Sequence, residues 1–187
     1  MNEAEPLLTR QDIAATVAGL GAAIAADHPD GVVLVGVLKG AAILLADLAR
    51  AVRGVPVAVE CMAISRFAPD SGRVRILHDV GIDLTGRDVV LVEDLVDTGL
   101  TADFLVRTLR ERGARSVEVC TLLDRPVRRI VPFVPRYVGR EIGDVFVVGY
   151  GLHVGDRFRN LPEVYVVDRA AAAEDPDGFL ARWYRGT

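Results

Sequence analysis

Residues 89–101 combine carboxylates, hydroxyls and a glycine at a spacing that could bind a charged and hydroxylated molecule. Residues 89–92 are aliphatic and predict a short buried strand, and two adjacent acids, Glu93 and Asp94, stand where that strand ends. Carboxylates would repel a phosphate, so they suit sugar hydroxyls or a hard cation such as Mg²⁺. The acids therefore predict one half of a binding site.

The residues that follow predict the other half. Gly99 permits close backbone approach, and the helical pattern over 102–112 would offer unpaired N–H groups and the positive end of a helix dipole. The segment that would cradle a phosphate is Asp97, Thr98, Gly99, Leu100 and Thr101. A phosphorylated sugar fits both halves together. The alternative for the whole segment is an ordinary strand–turn–helix junction with surface acids. For Asp97 alone the alternative is a helix N-cap, a role that can coexist with a function in the site.

The elements around this segment alternate between strand and helix. Thr9 and Asp12 predict a capped helix start. Apolar runs predict strands over 32–38, 57–64, 74–77 and 117–123, and helical spacing predicts a helix over 41–52. Such alternation is typical of an α/β fold with a doubly wound, mostly parallel sheet.

Polar clusters follow three of the predicted strands directly. They are Lys39, Glu93 with Asp94, and Asp124 with Arg125, and we expect them at one edge of the sheet, where ligands of such folds bind. Short strands over 145–150 and 164–167 predict a small hood beside the sheet. The spacing of residues 179, 180, 183 and 184 predicts a helical tail that packs on the body or on a partner, or else covers the substrate.

Composition limits the classes of function. The 187 residues are expected to form one domain, and 51% of them are hydrophobic. No apolar run is long enough to cross a membrane, the N-terminus has no signal-peptide pattern, and a net charge of −4 gives no support for nucleic-acid binding. Cys61 and Cys120 lie in apolar runs and predict reduced core thiols, so we expect a cytoplasmic protein.

The spacing over 89–101 resembles the 5-phosphoribosyl-1-pyrophosphate (PRPP) motif of type I phosphoribosyltransferases. From about residue 7 to residue 168, the chain is also similar to hypoxanthine-guanine phosphoribosyltransferases. The segments that carry this resemblance are GVLKGA at 36–41, the loop before Val74, LLDRP at 122–126, FVVGYGL at 146–152 and RFRNL at 157–161.

The resemblance implies roles for residues that would bind PRPP. Lys39 and Gly40 correspond to a pyrophosphate loop, in which a cis peptide bond often precedes the lysine, and Arg159 to a second pyrophosphate ligand. Lys39 is the only lysine of the chain, which favours a function over a plain surface charge. Glu93 and Asp94 would receive the ribose hydroxyls directly or through Mg²⁺, and residues 97–101 would hold the 5′-phosphate.

The resemblance also implies a purine site. Asp97 sits where the family has its general acid or base, near N7 of the purine. Phe146 corresponds to the aromatic residue that stacks on the purine, although core packing is an alternative for it, and Val147 to the residue whose backbone contacts the edge of the base. Ser65, Arg66 and Phe67 correspond to a flexible loop that closes over the reaction centre.

Three positions depart from the family pattern. Arg125 stands where the family has the lysine that contacts the 6-oxygen of the purine. His153 replaces an acid that helps to hold a second Mg²⁺, and Asp156 could substitute for it because hard cations prefer oxygen ligands. The loop has Arg66 and Phe67 in place of the usual residues and is shorter.

These features predict a Mg²⁺-dependent purine phosphoribosyltransferase. It would join hypoxanthine or guanine to PRPP, releasing pyrophosphate and a nucleoside 5′-monophosphate, and we expect it to be a homodimer or homotetramer. Two alternatives remain open. One is an enzyme for a different or modified purine, and the other is a non-catalytic regulator of the same fold that senses PRPP or nucleotides.

Overall fold

The most apolar segments of the chain form a six-stranded sheet. The computed structural model describes residues 5–65 and 75–175. Its strands are β1 (Val32–Leu38), β2 (Val57–Ser65), β3 (Arg75–His78), β4 (Asp88–Val96), β5 (Ser116–Asp124) and β6 (Tyr137–Glu141). They lie in the order β3-β2-β1-β4-β5-β6, and every pair is parallel except β2 with β3. The predicted mostly parallel α/β sheet is confirmed.

Helices cover both faces of this sheet. They are α1 (Arg10–Asp27), α2 (Ala42–Ala51) and α3 (Leu100–Glu111). Alternate residues of β1 belong to two separate cores: Val32 and Leu34 pack with α1 and α2, whereas Val33, Val35 and Val37 pack with α3. Burial on both faces explains why β1 is continuously apolar. The predicted capping box of Thr9 and Asp12 at the start of α1 is present.

Two strands differ from the sequence prediction. β4 continues to Val96, so Glu93 and Asp94 lie within its final part and not after its end. Pairing with β1 stops at Val92, but pairing with β5 continues through Glu93, Leu95 and Val96. β6 was not predicted at all, because this short edge strand reads YVGRE, which is neither continuously apolar nor regularly alternating.

A smaller unit stands beside the sheet and confirms the predicted hood. It contains β7 (Val147–Val148) paired antiparallel with β8 (Tyr165–Val166), followed by the short helix α4 (Arg169–Glu174). Its own core includes Phe158, whose side chain is almost completely buried. The segment from 145 to 167 thus forms its own small scaffold for the residues assigned to the purine.

The remaining predictions concern the two thiols, helices that could cross a membrane, and the segments at residues 66–67 and 179–184. Cys61 and Cys120 are free thiols, and burial raises the pKa of Cys120 to about 12. Within residues 5–65 and 75–175, none of the helices is both long and apolar enough to cross a bilayer. The predicted tail contacts at residues 179–184, and Arg66 and Phe67 of the predicted flexible loop, lie outside the described residues.

Candidate active site

The predicted polar clusters meet at one edge of the sheet. Lys39 follows β1, Glu93 and Asp94 lie near the end of β4, and Arg125 follows β5. These three strands are neighbours in the order β1-β4-β5 and run parallel, so their carboxyl ends coincide. This arrangement is the ligand-binding edge that parallel α/β sheets provide.

Asp94 lies directly against the loop that follows β1. A Cβ atom added to Gly40 would lie 2.0 Å from Oδ2 of Asp94 and 2.6 Å from its Cγ. The other carboxylate oxygen, Oδ1, accepts a hydrogen bond of 2.9 Å from the backbone N–H of Leu95, which restrains the side chain. While Asp94 keeps this position, only glycine fits at position 40.

The neighbouring acid, Glu93, is buried, with 7% of its surface exposed.

The same loop also contacts the hood. The peptide bond between Leu38 and Lys39 is cis, as the resemblance implied. Gly151, with a φ of +98°, approaches so closely that an added Cβ atom would lie 2.1 Å from the carbonyl oxygen of Gly40. The preceding residue, Tyr150, donates its hydroxyl to Asp47 of α2 at 2.5 Å. Hood, loop and α2 are thereby joined.

Asp156 brings the two predicted pyrophosphate ligands together. Its Oδ2 accepts from Nζ of Lys39 at 2.5 Å, and its Oδ1 accepts from the guanidinium of Arg159 at 3.0 and 3.2 Å. These two contacts, with Lys39 the stronger, hold the pKa of Asp156 at about 2. Arg159 also donates to the carbonyl oxygen of Gly151 at 2.6 Å. Both cations thus face one common point beside the loop.

His153 stabilises the turn that carries Asp156. Its Nδ1 accepts the backbone N–H of Asp156 at 3.1 Å and so helps to close the turn on which Asp156 lies. Asp156 has a φ of +63°. Of the two candidate metal ligands in this region, Asp156 is therefore the one that faces the cations of the site, while this nitrogen of His153 is used in the turn.

The segment 97–101 forms the turn between β4 and α3. Gly99 is the N-cap of α3 with a φ of +84° and has no side chain to cap the helix, while the backbone N–H of Leu100 donates to the hydroxyl of Thr98 at 3.4 Å. Asp97 is therefore not the N-cap, and the N-cap interpretation of this residue was wrong. The backbone of the turn is held from outside, because the carbonyl oxygen of Thr98 accepts from the N–H of Ile130 at 2.9 Å. The contact of Leu100 with the Thr98 hydroxyl is long, and the N-terminus of α3 remains suited to an anion.

Asp97 is held by Arg125. Nε of Arg125 donates to Oδ1 of Asp97 at 3.1 Å, and its Nη2 donates to Oδ2 at 2.8 Å. The Asp97 side chain keeps 35% of its surface exposed, against 5% for Arg125. A carboxylate that is fixed on one side and accessible on the other can still exchange a proton with a ligand.

The candidate purine residues lie at the start of the hood. Phe146 is half-buried and immediately precedes β7, so it is not within the strand that the sequence predicted. The guanidinium of Arg169 lies 5.5 Å from the centre of its ring. Val147 is buried and pairs with Val166 of β8. The structure thus packs Phe146 against the hood core while leaving part of its ring accessible.

Sequence analysis missed three supports of the site. Arg129 donates to the carbonyl oxygen of Asp97 at 2.5 Å and forms a mostly buried ion pair with Asp124. The other two are the Tyr150–Asp47 hydrogen bond and the contact of Arg169 with Phe146. Each joins residues that are distant in sequence or lie in irregular segments, and no periodic pattern marks them.

The donor set for a metal consists of two carboxylates. No cluster of three or more histidine, cysteine, aspartate or glutamate side chains that could hold a metal occurs within the described ranges 5–65 and 75–175. Mg²⁺, however, is commonly held by one or two carboxylates together with water and substrate phosphates. Asp94 lies beside the loop that follows β1, and Glu93 precedes it in β4, so this pair of carboxylates fits that mode of binding.

The predicted flexible loop is described only at its ends. Ser65 closes β2, and its hydroxyl accepts the backbone N–H of Arg75 at 3.1 Å. This hydrogen bond brings together the two residues that flank positions 66–74.

Comparison with known proteins agrees with this geometry. The phosphoribosyl transferase domain family matches residues 4–154. Hypoxanthine-guanine phosphoribosyltransferase of Mycobacterium avium is 44% identical over 172 residues, which cover 87% of this chain and 84% of that protein. The corresponding protein of Bacillus subtilis is 38% identical over 168 residues, covering 88% of this chain and 93% of that protein.

Solved structures give the same result. The crystal structure of a Bacillus anthracis hypoxanthine-guanine phosphoribosyltransferase superposes with a TM-score of 0.83 at 33% identity, covering 89% of this chain and all of that one. A hypoxanthine phosphoribosyltransferase of Staphylococcus aureus superposes with a TM-score of 0.83 at 35% identity, covering 91% and 99%. The chain therefore belongs to the type I phosphoribosyltransferases, in the hypoxanthine-guanine phosphoribosyltransferase family.

Proposed function

We propose that this chain joins hypoxanthine or guanine to the ribose of PRPP, with Mg²⁺ as cofactor, and releases pyrophosphate and a purine nucleoside 5′-monophosphate. The observation that carries this proposal is the position of Gly40, which touches Asp94 on one side and Gly151 on the other. Through these contacts the acids suited to a sugar lie beside the cations suited to pyrophosphate. The relatives are named for the transfer of a phosphoribosyl group, and PRPP, the donor proposed here, carries both a sugar and a pyrophosphate.

The sugar and its phosphate would occupy two neighbouring surfaces. Glu93 and Asp94 would accept hydrogen bonds from the ribose hydroxyls or hold Mg²⁺, which would neutralise charge on the pyrophosphate. Residues 97–101 would bind the 5′-phosphate through backbone N–H groups at the start of α3, whose N-cap residue is Gly99.

The leaving pyrophosphate would meet Lys39 and Arg159. In the reaction, the bond between C1 of the ribose and the pyrophosphate oxygen breaks, and a purine nitrogen forms the new bond to C1. Cations already fixed near the departing oxygens stabilise this developing charge without reorganisation. The turn that carries Gly151 and Asp156 fixes both cations beside the loop.

The base would stack on Phe146, with its edge toward the backbone of Val147, and Asp97 would accept or donate the proton at N7. A positioned general acid or base contributes about 10²–10⁴-fold to a rate. We also propose that residues 1–187 act as one domain in the cytoplasm, which the two free thiols support.

A direct assay tests the reaction. The purified full chain is incubated with PRPP, Mg²⁺ and, separately, hypoxanthine, guanine, xanthine and adenine, and both nucleotide and pyrophosphate are measured. We expect equal amounts of both products with hypoxanthine or guanine. If the chain binds PRPP but releases no pyrophosphate with any of the four bases, the proposed catalysis is contradicted. Turnover with only adenine or only xanthine would contradict the proposed choice of base.

A variant tests the role of Asp97. Asp97→Asn should lower kcat by about 10²–10⁴-fold while the KM for PRPP changes little, because the amide cannot take the proton. Asp79→Asn is a matched control, since Asp79 is an exposed aspartate that pairs with Arg112 and has no proposed role. Equal turnover in the two variants would remove Asp97 from the mechanism.

A further inference from the structure

Arg125 is the most deeply buried charged side chain that contacts the candidate acid or base. Its side chain is 5% exposed. Nε and Nη2 donate to the two oxygens of Asp97, and Nη1 donates to the carbonyl oxygen of Val145 at 2.5 Å. Three of the five N–H groups of this guanidinium are therefore used within the protein.

The backbone of Arg125 is fixed as well. Its N–H donates to the carbonyl oxygen of Val96 at 2.9 Å, at the end of β4. Arg125 thus connects three parts of the site: the end of β4, the turn at Asp97 and the segment leading to Phe146. A planar guanidinium can bind both oxygens of a carboxylate at once, whereas a lysine ammonium acts as a single point of charge.

We propose that Arg125 is a positioning residue, which fixes the carboxylate of Asp97 toward the purine and does not act mainly by contacting the 6-oxygen of the base. The inference rests on the proposed function, in which Asp97 exchanges a proton with N7. It differs from the role that the family pattern gives to a lysine at this position. Because both oxygens of Asp97 accept hydrogen bonds from Arg125, rotation of the carboxylate is restricted. Each oxygen keeps a lone pair that can accept a hydrogen bond from the ligand.

Kinetics of Arg125→Lys, Asp97→Asn and the double variant test this inference with hypoxanthine as the base. Arg125→Lys retains the charge but not the two-point contact, so we expect kcat to fall by about 10- to 100-fold with the KM for hypoxanthine almost unchanged. In the double variant the lysine should cause no further loss, because the carboxylate that Arg125 positions is already absent.

A residue that reads the 6-oxygen would behave differently. The KM for hypoxanthine would rise in Arg125→Lys, and the losses would multiply in the double variant. Either result overturns the inference. If Asp97→Asn itself keeps full turnover, the proposed function of Asp97 fails instead, so the two failures are distinguishable.

A second variant covers the case in which Arg125→Lys is poorly folded, as judged by thermal unfolding. Arg125→Gln is neutral and can still donate one hydrogen bond, and its turnover is compared for hypoxanthine and for the analogue with sulfur at position 6. An equal fractional loss of kcat for both bases supports positioning. A loss confined to the 6-oxo base overturns it.

Discussion

The contact between Gly40 and Asp94 gives a quantitative test of the site. Gly40→Ala would place a Cβ atom 2.0 Å from Oδ2 of Asp94, whereas ordinary contact begins near 3.4 Å. The loop or the carboxylate must therefore move by about 1.4 Å. Asp94 accepts from the N–H of Leu95, and the carbonyl oxygen of Gly40 lies close to Gly151, so a shift on either side disturbs a neighbouring contact.

The displacement should affect catalysis more than folding. A misplacement of about 1 Å at a reacting group can reduce a rate by about 10²-fold, and we expect kcat/KM for PRPP to fall by about that factor. The residues that move are those proposed to bind the sugar hydroxyls and the pyrophosphate. Initial rates at varied PRPP with saturating hypoxanthine measure this effect, and thermal unfolding shows whether the fold is retained.

Gly19→Ala is the matched control. Gly19 lies in α1, and nothing lies within 4 Å of the Cβ atom that alanine would add. Alanine is favoured over glycine within a helix by about 1 kcal/mol, so this variant should be at least as stable as the wild type and fully active. An unchanged kcat/KM for PRPP in Gly40→Ala would show that the acids and the loop do not act as one binding surface.

Other perturbations follow from single contacts. Phe146→Ala should raise the KM of the base by about ten-fold or more and affect PRPP less; the reverse order would assign Phe146 to core packing. Asp156→Asn should tighten binding of inorganic pyrophosphate, measured calorimetrically without Mg²⁺, by about two- to five-fold, because it releases two cations; weaker binding would contradict this. Asp88→Asn should lower stability by about 2 kcal/mol at pH 7. Hydrogen bonding from Arg115 holds the pKa of Asp88 below its usual 3.8, so this contribution is present above pH 3.8 and is lost on further acidification. Denaturation of both proteins at pH 7 and pH 2 should show a narrower gap at pH 2, and a constant gap would contradict the assignment.

The sequence predicted the sheet well because parallel strands are buried on both faces. The bounds of β1 match the prediction at both ends, and β5 differs by one residue at each end. The prediction failed for a strand that is exposed to solvent at the edge of the sheet and for a strand that is prolonged by pairing with its neighbour. β6 is an exposed edge strand, and β4 is prolonged through Glu93 and Asp94 only because β5 continues beside it. Neither cause is visible in the local sequence.

The location of the site was predictable for a different reason. Polar residues at the carboxyl ends of parallel strands share one edge of the sheet, so Lys39, Asp94 and Arg125 were placed together correctly, although Asp94 lies within β4 and not after it. The pairing of their side chains was not predictable. Arg125 meets Asp97 across 28 positions of sequence, and Lys39 meets Asp156 across 117. Such contacts depend on how the strand ends and the hood turn are oriented, which spacing does not encode.

Two of the three departures from the family pattern are compensated by other residues of the same site. Arg125 has acceptors for three of its N–H groups in Asp97 and Val145. Nδ1 of His153 closes the turn that presents Asp156, so the carboxylate charge expected at one position is supplied three residues later and contacts Lys39. Arg125 is 5% exposed, and an unmatched charge is expensive to bury, so burial alone requires its pairing with Asp97. Lys39 and Asp156 are exposed, so burial does not require their contact. The presence of Asp97, Lys39 and Arg159 at one edge of the sheet favours a working transferase over a regulator that only binds PRPP.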